Sequence, residues 1–583
     1  MKAFHAASAV LTLLAAAFPA AAATVQLPAP GASGVNPDTR LVLRFDGPPT
    51  LGTAGQVRIY DAGDGRLVDT LDLAIRPGPT ERAKGPYPPP LPASYDYGGP
   101  RRTNADTRPG TPSAPGIPPD EGRYQLSIIG GFTDGFHFHP ILVRGNTATI
   151  TPHHNLLGYG KTYYVEIDPG VLAVPDGSFK GVRGKDGWRF TTKPHGPPPD
   201  AQRVTVSQDG SGDFDTVQGA LDFVPDRPAG RVTIFVKNGD YEEIVYFRNK
   251  RNLTIAGEDR DKVRVHYANN EVFNPHPPGV GTNELPGTFP SRRAAFMADH
   301  VEDIALVGMT IATDLEGQAE GLLLNGERNI VKNVTVIGSG DALQANGSNW
   351  FGDFRLVGGG DTILGRGANF FQRCAIESRG PYMWVRNTQA NHGNVFVDCS
   401  FTTRDGGQTV LARLPDNKGR NYPYAEAVLI DATLSGITPE AWGPLDGDTR
   451  HVAFLEYGSR GPDGKPADTS RRHPASRQLD KVKDAALVAR YRDPAFVLKG
   501  WQPALAPVIL RQPQSVTLKP GANARLEVVA AAVPEPAYQW LRDGTPVAGA
   551  NRPTLSASAP GNYTVSVTNA SGTQTSEVAR INR

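Results

Sequence analysis

The stretch NIVKNVTVIGSGDALQANGSNWFGDFRLVGGGDTILGRGANFFQRCAIESRGP, residues 329–381, repeats one pattern at intervals of 20 residues. Asn329, Asn349 and Asn369 open three consecutive windows, and apolar residues recur behind each of them at matching positions. A fixed short period of this kind is typical of a solenoid, because a single coil cannot bury its apolar face alone. We interpret the three asparagines as a structural ladder at a coil corner rather than as ligands.

An aspartate recurs with the same period, since Asp341 and Asp361 hold the same place in adjacent windows. If each window forms one turn of a parallel β-helix, equivalent residues of neighbouring coils lie about 4.8 Å apart. The two carboxylates then become neighbours on one face of the solenoid. The period therefore predicts a chemical site as well as a fold.

The composition of the chain bounds its class. A length of 583 residues predicts about three or four domains. The 60 Lys+Arg balance the 59 Asp+Glu, so the overall charge does not favour nucleic acid or an anionic membrane as a partner. Gly 65 and Pro 52, with 39% hydrophobic residues, indicate a loop-rich all-β protein.

The N-terminus has the order of a secretory signal: Lys2, an apolar run over residues 9–18, and small residues up to position 23. We expect residues 1–23 to be removed and the protein to be secreted or periplasmic. No later segment reaches the roughly 20 apolar residues that a membrane helix requires. We expect a soluble monomer.

Proline-rich seams divide the rest of the chain. Alternating apolar and polar positions before the first seam predict an Ig-like antiparallel β-sandwich, and Trp540 and Tyr563 after the last seam predict a second one. Because stiff proline-rich segments space domains without packing them, we expect both sandwiches to be tethered to the solenoid rather than docked on it. The predicted divisions are an Ig-like sandwich at 24–194 with a Pro-rich insertion at 76–119, a parallel β-helix at 202–503, and an Ig-like domain at 507–583.

Several motifs in the predicted solenoid occur in an order that resembles the pectin methylesterases. They are VSQDGSGDF (206–214), TVQGAL (216–221), GDYEE (239–243), Gln318-Ala319, GDAL (340–343), DTILG (361–365) and LARLP (411–415). The resemblance covers roughly 300 residues and implies a right-handed parallel β-helix that acts as a carbohydrate esterase on methyl-esterified galacturonan. It implies no metal and no organic cofactor.

The resemblance also implies residue roles. Asp361 would be the nucleophile, Asp341 the general acid/base, Arg413 the orienting cation and Gln318 an oxyanion donor. These roles fit the paired placement, because two close carboxylates resist ionising together and one stays protonated. An adjacent guanidinium would hold the other as an anion.

The chain departs from the family pattern at a second oxyanion donor. Gly340 stands where the family has a glutamine, and the loss of one such donor costs on the order of 3 kcal/mol in the transition state. Gln344 is a candidate substitute. The sequence therefore predicts that Gly340→Gln raises turnover.

The aromatic positions of the family motifs are also altered, to Thr362, Leu364 and Pro415. Tyr382, Trp384 and Arg386 in the next coil are candidates for a rebuilt substrate rim. The two aromatic residues fit a rim and a core position equally well.

Three other functions stay open at this stage. A lyase or a glycosidase on the same fold would use clustered acids in a different reaction. A non-catalytic sugar-binding solenoid would explain Gly340, and an esterase for another acyl ester would explain the altered aromatic positions.

The two cysteines, Cys374 and Cys399, stand at matching coil positions. A disulfide and two buried thiols are equally compatible with them.

Overall fold

The structure is a computed structural model that describes residues 24–81, 124–130, 135–275, 292–416, 421–519 and 521–582. The predicted signal segment at 1–23 lies outside the described residues, as does the predicted Pro-rich insertion from residue 82 onward. The described chain is mostly β-structure.

An N-terminal module contains two packed sheets, with strand orders β1-β3-β8-β7 and β2-β11-β9-β5-β6. Their facing side chains form one apolar core around the fully buried Trp188. Its strands are β1 (Val25–Leu27), β2 (Ala32–Val35), β3 (Leu41–Arg44), β4 (Thr50–Leu51), β5 (Gln56–Asp61), β6 (Leu67–Asp72), β7 (Ile141–Arg144), β8 (Thr147–Ile150), β9 (Thr162–Ile167), β10 (Leu172–Ala173) and β11 (Arg189–Thr192).

The central part is a solenoid in which every strand pair is parallel. Its elements are β12 (Arg203–Val206), α1 (Val217–Phe223), β13 (Val232–Val236), β14 (Gly239–Glu242), β15 (Val245–Arg248), β16 (Arg251–Gly257), β17 (Val263–Tyr267), β18 (Phe296–Val307), β19 (Thr310–Thr313), β20 (Leu322–Lys332), β21 (Thr335–Ile337), β22 (Leu343–Gly352), β23 (Arg355–Gly358), β24 (Ile363–Leu364), β25 (Ala368–Gln372), β26 (Ala375–Ser378), β27 (Met383–Trp384), β28 (Asn394–Val397), β29 (Ser400–Thr403), β30 (Ala412–Leu414), β31 (Glu426–Ile430), β32 (Thr433–Ser435), β33 (Trp442–Leu445), β34 (Ala453–Tyr457), β35 (Ser476–Gln478), α2 (Ala485–Tyr491) and α3 (Pro494–Val497).

The strands of the solenoid stack in three rows around one long apolar core. One row, here called the front sheet, consists of β15, β24, β27, β30, β33 and the first halves of β18, β20 and β22. The second halves of the three long strands continue into the middle row, and β14-β17-β19-β21-β23-β26-β29-β32 form the third row. The front sheet carries the candidate site.

The 20-residue period is confirmed by the strand register. Asn329 pairs with Asn349, and Asn349 pairs with Asn369. Their side-chain amides donate from one coil to the next at 3.1 and 2.8 Å, and the ladder extends to Asn394 at 2.9 Å. A buried amide ladder of this kind fixes the register, because each missed bond would leave a polar group unpaired in the core.

The two cysteines lie in adjacent coils, and both are buried free thiols. The Cys374 backbone N–H points to the Cys399 sulfur at 3.3 Å. The structure therefore favours core packing over a disulfide for this pair.

The C-terminal module consists of β36 (Leu505–Arg511), β37 (Val516–Thr517), β38 (Ala524–Glu527), β39 (Val529–Val533), β40 (Ala537–Arg542), β41 (Thr545–Pro546), β42 (Thr554–Ala557), β43 (Gly561–Asn569), β44 (Gly572–Thr575) and β45 (Ala579–Asn582). Its Trp540 is fully buried, as the sequence predicts. The Tyr563 hydroxyl donates to the Ala559 carbonyl at 2.8 Å, which is the corner contact of immunoglobulin-like domains.

The prediction of tethered modules is wrong, because both modules pack on the solenoid. Val508 and Leu510 of the C-terminal module share an apolar cluster with Ile330 and Trp350 of the middle row. The proline-rich seams therefore do not hold the domains apart from the solenoid.

The N-terminal module docks through apolar and polar contacts. Ile129 and Phe136 form a buried cluster with Met297 and Leu323 of the front sheet. A chain that starts near residue 200 would lack Ile129 and Phe136 and would expose Met297 and Leu323, so the burial of these two side chains depends on the N-terminal module.

The polar part of the same junction includes two facing carboxyl groups, Asp38 and Asp215. Asp38 accepts bonds from the Thr216 backbone N–H and hydroxyl, both at 2.8 Å, and Asn36 donates to Asp215 at 2.6 Å. Burial, with the Asp38 charge second, raises the pKa of Asp215 to about 6.

This junction predicts a pH-dependent stability. A carboxyl whose folded pKa is raised binds its proton more tightly when folded, so its contribution to stability is lost as pH rises through about 6. We expect the melting temperature to fall between pH 5 and pH 7.5 and the fall to be smaller in Asp215→Asn. Asp200→Asn, at an exposed turn, is the control. An identical pH dependence in Asp215→Asn and the wild type would contradict the prediction.

Candidate active site

Asp341 and Asp361 lie at equivalent turns that lead into adjacent strands of the front sheet. The register pairs Leu343 with Ile363, which places the two aspartates one coil apart as the period predicts. Both have left-handed backbone, with φ of 59° and 43°, a conformation that aspartate tolerates better than most residues. Both side chains are largely buried, with 9% of the Asp341 side chain and 12% of the Asp361 side chain exposed.

Asp361 is held by a fork of two hydrogen bonds from Arg413. The Arg413 Nε donates to Oδ1 at 2.7 Å, and Nη2 donates to Oδ2. The same hydrogen bonds raise the pKa of Arg413. A bidentate guanidinium both neutralises a carboxylate and fixes its plane, so Asp361 is held as an oriented anion.

Asp341 is in the opposite electrostatic state. Burial raises the pKa of its carboxyl to about 7, with Glu320 and Asp361 adding to the rise and Arg293 opposing it. Asp341 can therefore serve as an acid near neutral pH, next to an Asp361 carboxylate that is paired with a guanidinium.

A buried guanidinium that the sequence reasoning missed, that of Arg293, joins the parts of the site. It donates to Glu320 at 2.7 Å, to the side-chain amide oxygen of Gln318 at 2.9 Å and to Asp341 at 3.1 Å. It therefore positions the predicted acid and the predicted oxyanion donor together.

Arg293 also sets the direction of the Gln318 side chain. Since a guanidinium only donates, Oε1 of Gln318 must face Arg293 and its NH2 group must face away. Gln318 is exposed and stacks on Gly340 in the next coil. This leaves amide protons directed toward the surface beside Asp341.

The sequence contained a signal for the missed residues. Glu320 is a carboxylate with 0% exposure, and it stands between the predicted Gln318 and the apolar strand that starts at Leu322. A charge next to an apolar strand requires a partner of opposite sign, and the Arg292-Arg293 pair stands at the same place in the preceding coil.

The close packing of Gly340 corrects the prediction that Gly340→Gln raises turnover. A Cβ atom there would lie 2.8 Å from the Gly317 carbonyl oxygen, which already accepts the Gly340 N–H at 2.7 Å. The contact is with backbone, so the coil would have to shift.

We now expect Gly340→Gln to lower the melting temperature and to leave turnover unchanged or lower. Gly340→Ala separates the Cβ contact from the amide and should show most of the stability loss. Thermal unfolding and initial rates on one substrate measure both effects. A gain in turnover without loss of stability would contradict this expectation and support the interpretation that Gly340 leaves the site short of one oxyanion donor.

The predicted rim position of Tyr382 is wrong. Tyr382 has 0% exposure and packs edge-on to Phe401 in the solenoid core, with its hydroxyl 3.3 Å from that of Thr403. Tyr382 lies one residue before Met383, and its side chain points inward at the turn, so it stabilises the coil and cannot contact a substrate.

Trp384 and Arg386 lie beside the carboxylates. Trp384 pairs with Arg413 in the register, and the guanidinium carbons of Arg386 and Arg413 lie 4.4 and 5.7 Å from its ring centroid. The buried indole N–H of Trp384 has no acceptor within the described part of the chain. An oxygen of a bound ligand would satisfy this donor.

Gln344, the candidate substitute donor, lies in the front sheet between Leu323 and Leu364 and is 1% exposed. It follows Asp341 by three residues in the same coil. The structure thus brings it near the site, and its role as a donor stays a prediction.

Within the described residues, the one group with the spacing of metal ligands is Glu242, His266 and Asp314, away from the aspartate pair. Arg144 donates to Glu242 at 2.5 Å and Arg264 donates to Asp314 at 2.8 Å. Since guanidinium groups already neutralise these carboxylates, we assign no metal to them.

Comparison with known proteins adds a family match. Residues 203–492 match the family model described as Pectinesterase, and residues 506–576 match the model described as Immunoglobulin domain. Over 282 residues, the chain is 27% identical to probable pectinesterase/pectinesterase inhibitor 19 of Arabidopsis thaliana. The aligned residues are 46% of this chain and 51% of that protein.

Two further proteins are similar to the same part of this chain. Pectinesterase 1 of Solanum lycopersicum is 28% identical over 282 residues, which are 46% of this chain and 50% of that protein. The solved structure of pectin methylesterase PemA from Erwinia chrysanthemi has a TM-score of 0.40 and 22% identity, over 52% of this chain and 98% of that chain. The chain spans about half the length of these two curated relatives.

Among the described residues, no helix has the length and apolar character needed to cross a membrane.

Proposed function

Because residues 203–492 belong to the pectinesterase family, we propose that the protein is a carbohydrate esterase that hydrolyses methyl esters of pectin and releases methanol. One observation carries this proposal. Asp361 is paired to Arg413 as an anion, while the adjacent Asp341 keeps its proton up to a pH of about 7. Ester hydrolysis by a carboxylate nucleophile needs this pair of states.

In the first step, a carboxylate oxygen of Asp361 attacks the carbonyl carbon of the methyl ester. Negative charge develops on the carbonyl oxygen, where the outward NH2 group of Gln318 donates a hydrogen bond. The bond to the methoxy oxygen then breaks, and Asp341 gives its proton to that oxygen. Methanol leaves, and the sugar carboxyl stays linked to Asp361 as an acid anhydride.

In the second step, water hydrolyses the anhydride. Asp341, now a carboxylate, takes a proton from the water as its oxygen attacks the acyl carbon. The bond to Asp361 breaks, which regenerates its carboxylate in the fork of Arg413 and frees the sugar acid. Asp341 is protonated again, so the site returns to its starting state.

The other groups of the site act through position and charge. Arg293 is a positioning residue that orients Gln318 and keeps the Asp341 carboxyl in place. Trp384 and Arg386 offer a ring face and a cation to a sugar that carries a carboxylate.

The test of the proposed function is an incubation with methyl-esterified homogalacturonan, followed by assays for methanol, reducing ends and unsaturated products. Methanol alone supports the esterase. New reducing ends would indicate a glycosidase and unsaturated ends a lyase, while no product together with retained binding would indicate a sugar-binding protein.

The Asp341 carboxyl predicts the pH profile of this reaction. The acid must carry its proton in the first step, and its pKa is about 7. We expect kcat/KM to be constant just below pH 7 and to fall about tenfold per pH unit above it. Initial rates from pH 5 to 9 test this. A constant kcat/KM across pH 7 to 9 would assign the acid to another group.

Finer features of the protein belong to the same proposal. We propose a right-handed coil, as in the family, and an Ig-like fold for the N-terminal sandwich at 24–194. We also propose export after removal of residues 1–23, and action as a monomer. The charge, apolar and small-residue order of the first 23 residues supports export.

A further inference from the structure

The front sheet presents a continuous row of outward side chains that passes through the site. Each member is the register partner of the next, except that Leu364 and Trp384 directly follow the paired residues Ile363 and Met383. The neighbouring positions point into the solenoid core. This outer row consists of Tyr246, Met297, Leu323, Gln344, Leu364, Trp384 and Arg413.

The exposure of the outer row changes along its length. Tyr246, Met297 and Leu323 are all 0% exposed, and Gln344 and Leu364 are 1% and 3% exposed, whereas Trp384 is half-buried and the Arg413 side chain is 32% exposed. The row is therefore closed on the side of the first coils and open on the side of the last ones. Asp361 and Arg413 lie at the transition.

The cover over the closed part is built by the N-terminal module. Ile129 and Phe136 share one buried apolar cluster with Tyr246, Met297 and Leu323, and the Phe136 ring centroid lies 5.4 Å from that of Tyr246. The Arg292 guanidinium donates to the Gly135 carbonyl at 2.9 Å, which ties the module to the chain segment just before Arg293. We call this cover the wall.

The wall stands close to the reacting groups. Leu323, the last member of the row that belongs to the cluster with Phe136, is one strand from Gln344 and two strands from Leu364, the member of the row in the coil of Asp361. Two strand spacings are roughly 10 Å. A saccharide that lies along the row past Asp361 thus meets the wall within a small number of sugar rings.

We propose that the wall ends the substrate cleft, so that the enzyme removes methyl esters close to one end of a pectin chain. This rests on the proposed function and specifies its substrate. The chain enters over Trp384 and Arg413, where guanidinium groups match galacturonate carboxylates. Its end abuts the outer surface of the wall.

The test uses methyl-esterified oligogalacturonides of one defined length with a fluorophore on the reducing end. After brief digestion, tandem mass spectrometry locates the removed methyl groups. We expect them within roughly three sugars of one chain end, given the distance to the wall. At equal ester concentration, we also expect the initial rate of methanol release to fall as chain length rises.

Variants of the wall sharpen the test. Phe136→Leu should raise the ratio of internal to terminal ester removal several-fold, because a smaller side chain loosens the closed end. Phe138→Leu is the matched control, since Phe138 packs in the core of the same module away from the outer row. It should leave the positional pattern unchanged.

The outcomes are distinguishable. Terminal removal by the wild type supports the proposal even if Phe136→Leu fails to fold. Removal of internal esters at the same rate as terminal ones would overturn the proposal and leave the esterase function standing. Release of no methanol from any oligomer or polymer would overturn the esterase function and the closed cleft with it.

Discussion

Asp361→Asn should lower kcat on methyl-esterified galacturonan by roughly 10⁴-fold or more, because it removes the nucleophile. Asp341→Asn should lower it by roughly 10²–10⁴-fold, because it removes the acid/base. Both variants should keep the fold. Asparagine is nearly isosteric with aspartate, and it tolerates the left-handed backbone that both positions require.

Initial methanol release and thermal unfolding measure the two effects separately. Asp398→Asn is the matched control, because Asp398 shares the left-handed backbone, with φ of 55°, and is exposed on another coil corner. It should retain full activity. Turnover near the wild-type value in either site variant, with its folded state verified, would remove that residue from the mechanism.

The second large effect concerns Arg293. Arg293→Met should lower kcat by roughly 10²-fold, since Gln318 loses the group that turns its NH2 outward. It should also cost roughly 3–5 kcal/mol of stability, because the Glu320 carboxyl is left buried without its partner.

Two observations separate positioning from a structural role. Arg293 lowers the pKa of Asp341, so the alkaline fall of kcat/KM should move to higher pH in Arg293→Met. The double variant Arg293→Met/Glu320→Met removes both charges and should recover stability without recovering kcat.

A control for the stability loss is available in the same solenoid. Arg472 and Glu456 form another buried ion pair, at 3.0 Å, away from the site. Arg472→Met should lose comparable stability and keep its pH profile. An unshifted profile in Arg293→Met, or equal activity loss in the two arginine variants, would reduce Arg293 to a structural residue.

Much of the site could be predicted from the sequence because the solenoid converts periodicity into position. The 20-residue spacing of Asp341 and Asp361 was sufficient to place them one coil apart, as the register confirms. The fork between Asp361 and Arg413 was predictable from the motif order, and the asparagine ladder from its period.

The parts that escaped prediction depend on contacts between distant segments. Arg293 lies 48 residues before Asp341, outside any repeat that the sequence displays. Tyr382 stands two residues before the outward Trp384, so strict alternation would place it on the outer face, yet both Tyr382 and Met383 lie in the core. The direction of a side chain at a turn depends on local backbone angles and not on period alone. The docking of the N-terminal module was missed because proline-rich seams indicate stiffness and do not report what lies beyond them.

The ladder also determines where the chain can change its length. Asn369 and Asn394 are 25 residues apart, five more than the preceding pairs, yet their amides meet at 2.9 Å. The additional residues lie between β27 and β28, at a corner, and neither strand register is disturbed. Insertions at corners are therefore tolerated by the fold, whereas one inside a strand of the coil from Asp341 to Asp361 would shift the register that places the two carboxylates side by side. Insertions and deletions that arise as this gene evolves should therefore be retained at coil corners and eliminated where they would separate Asp341 from Asp361.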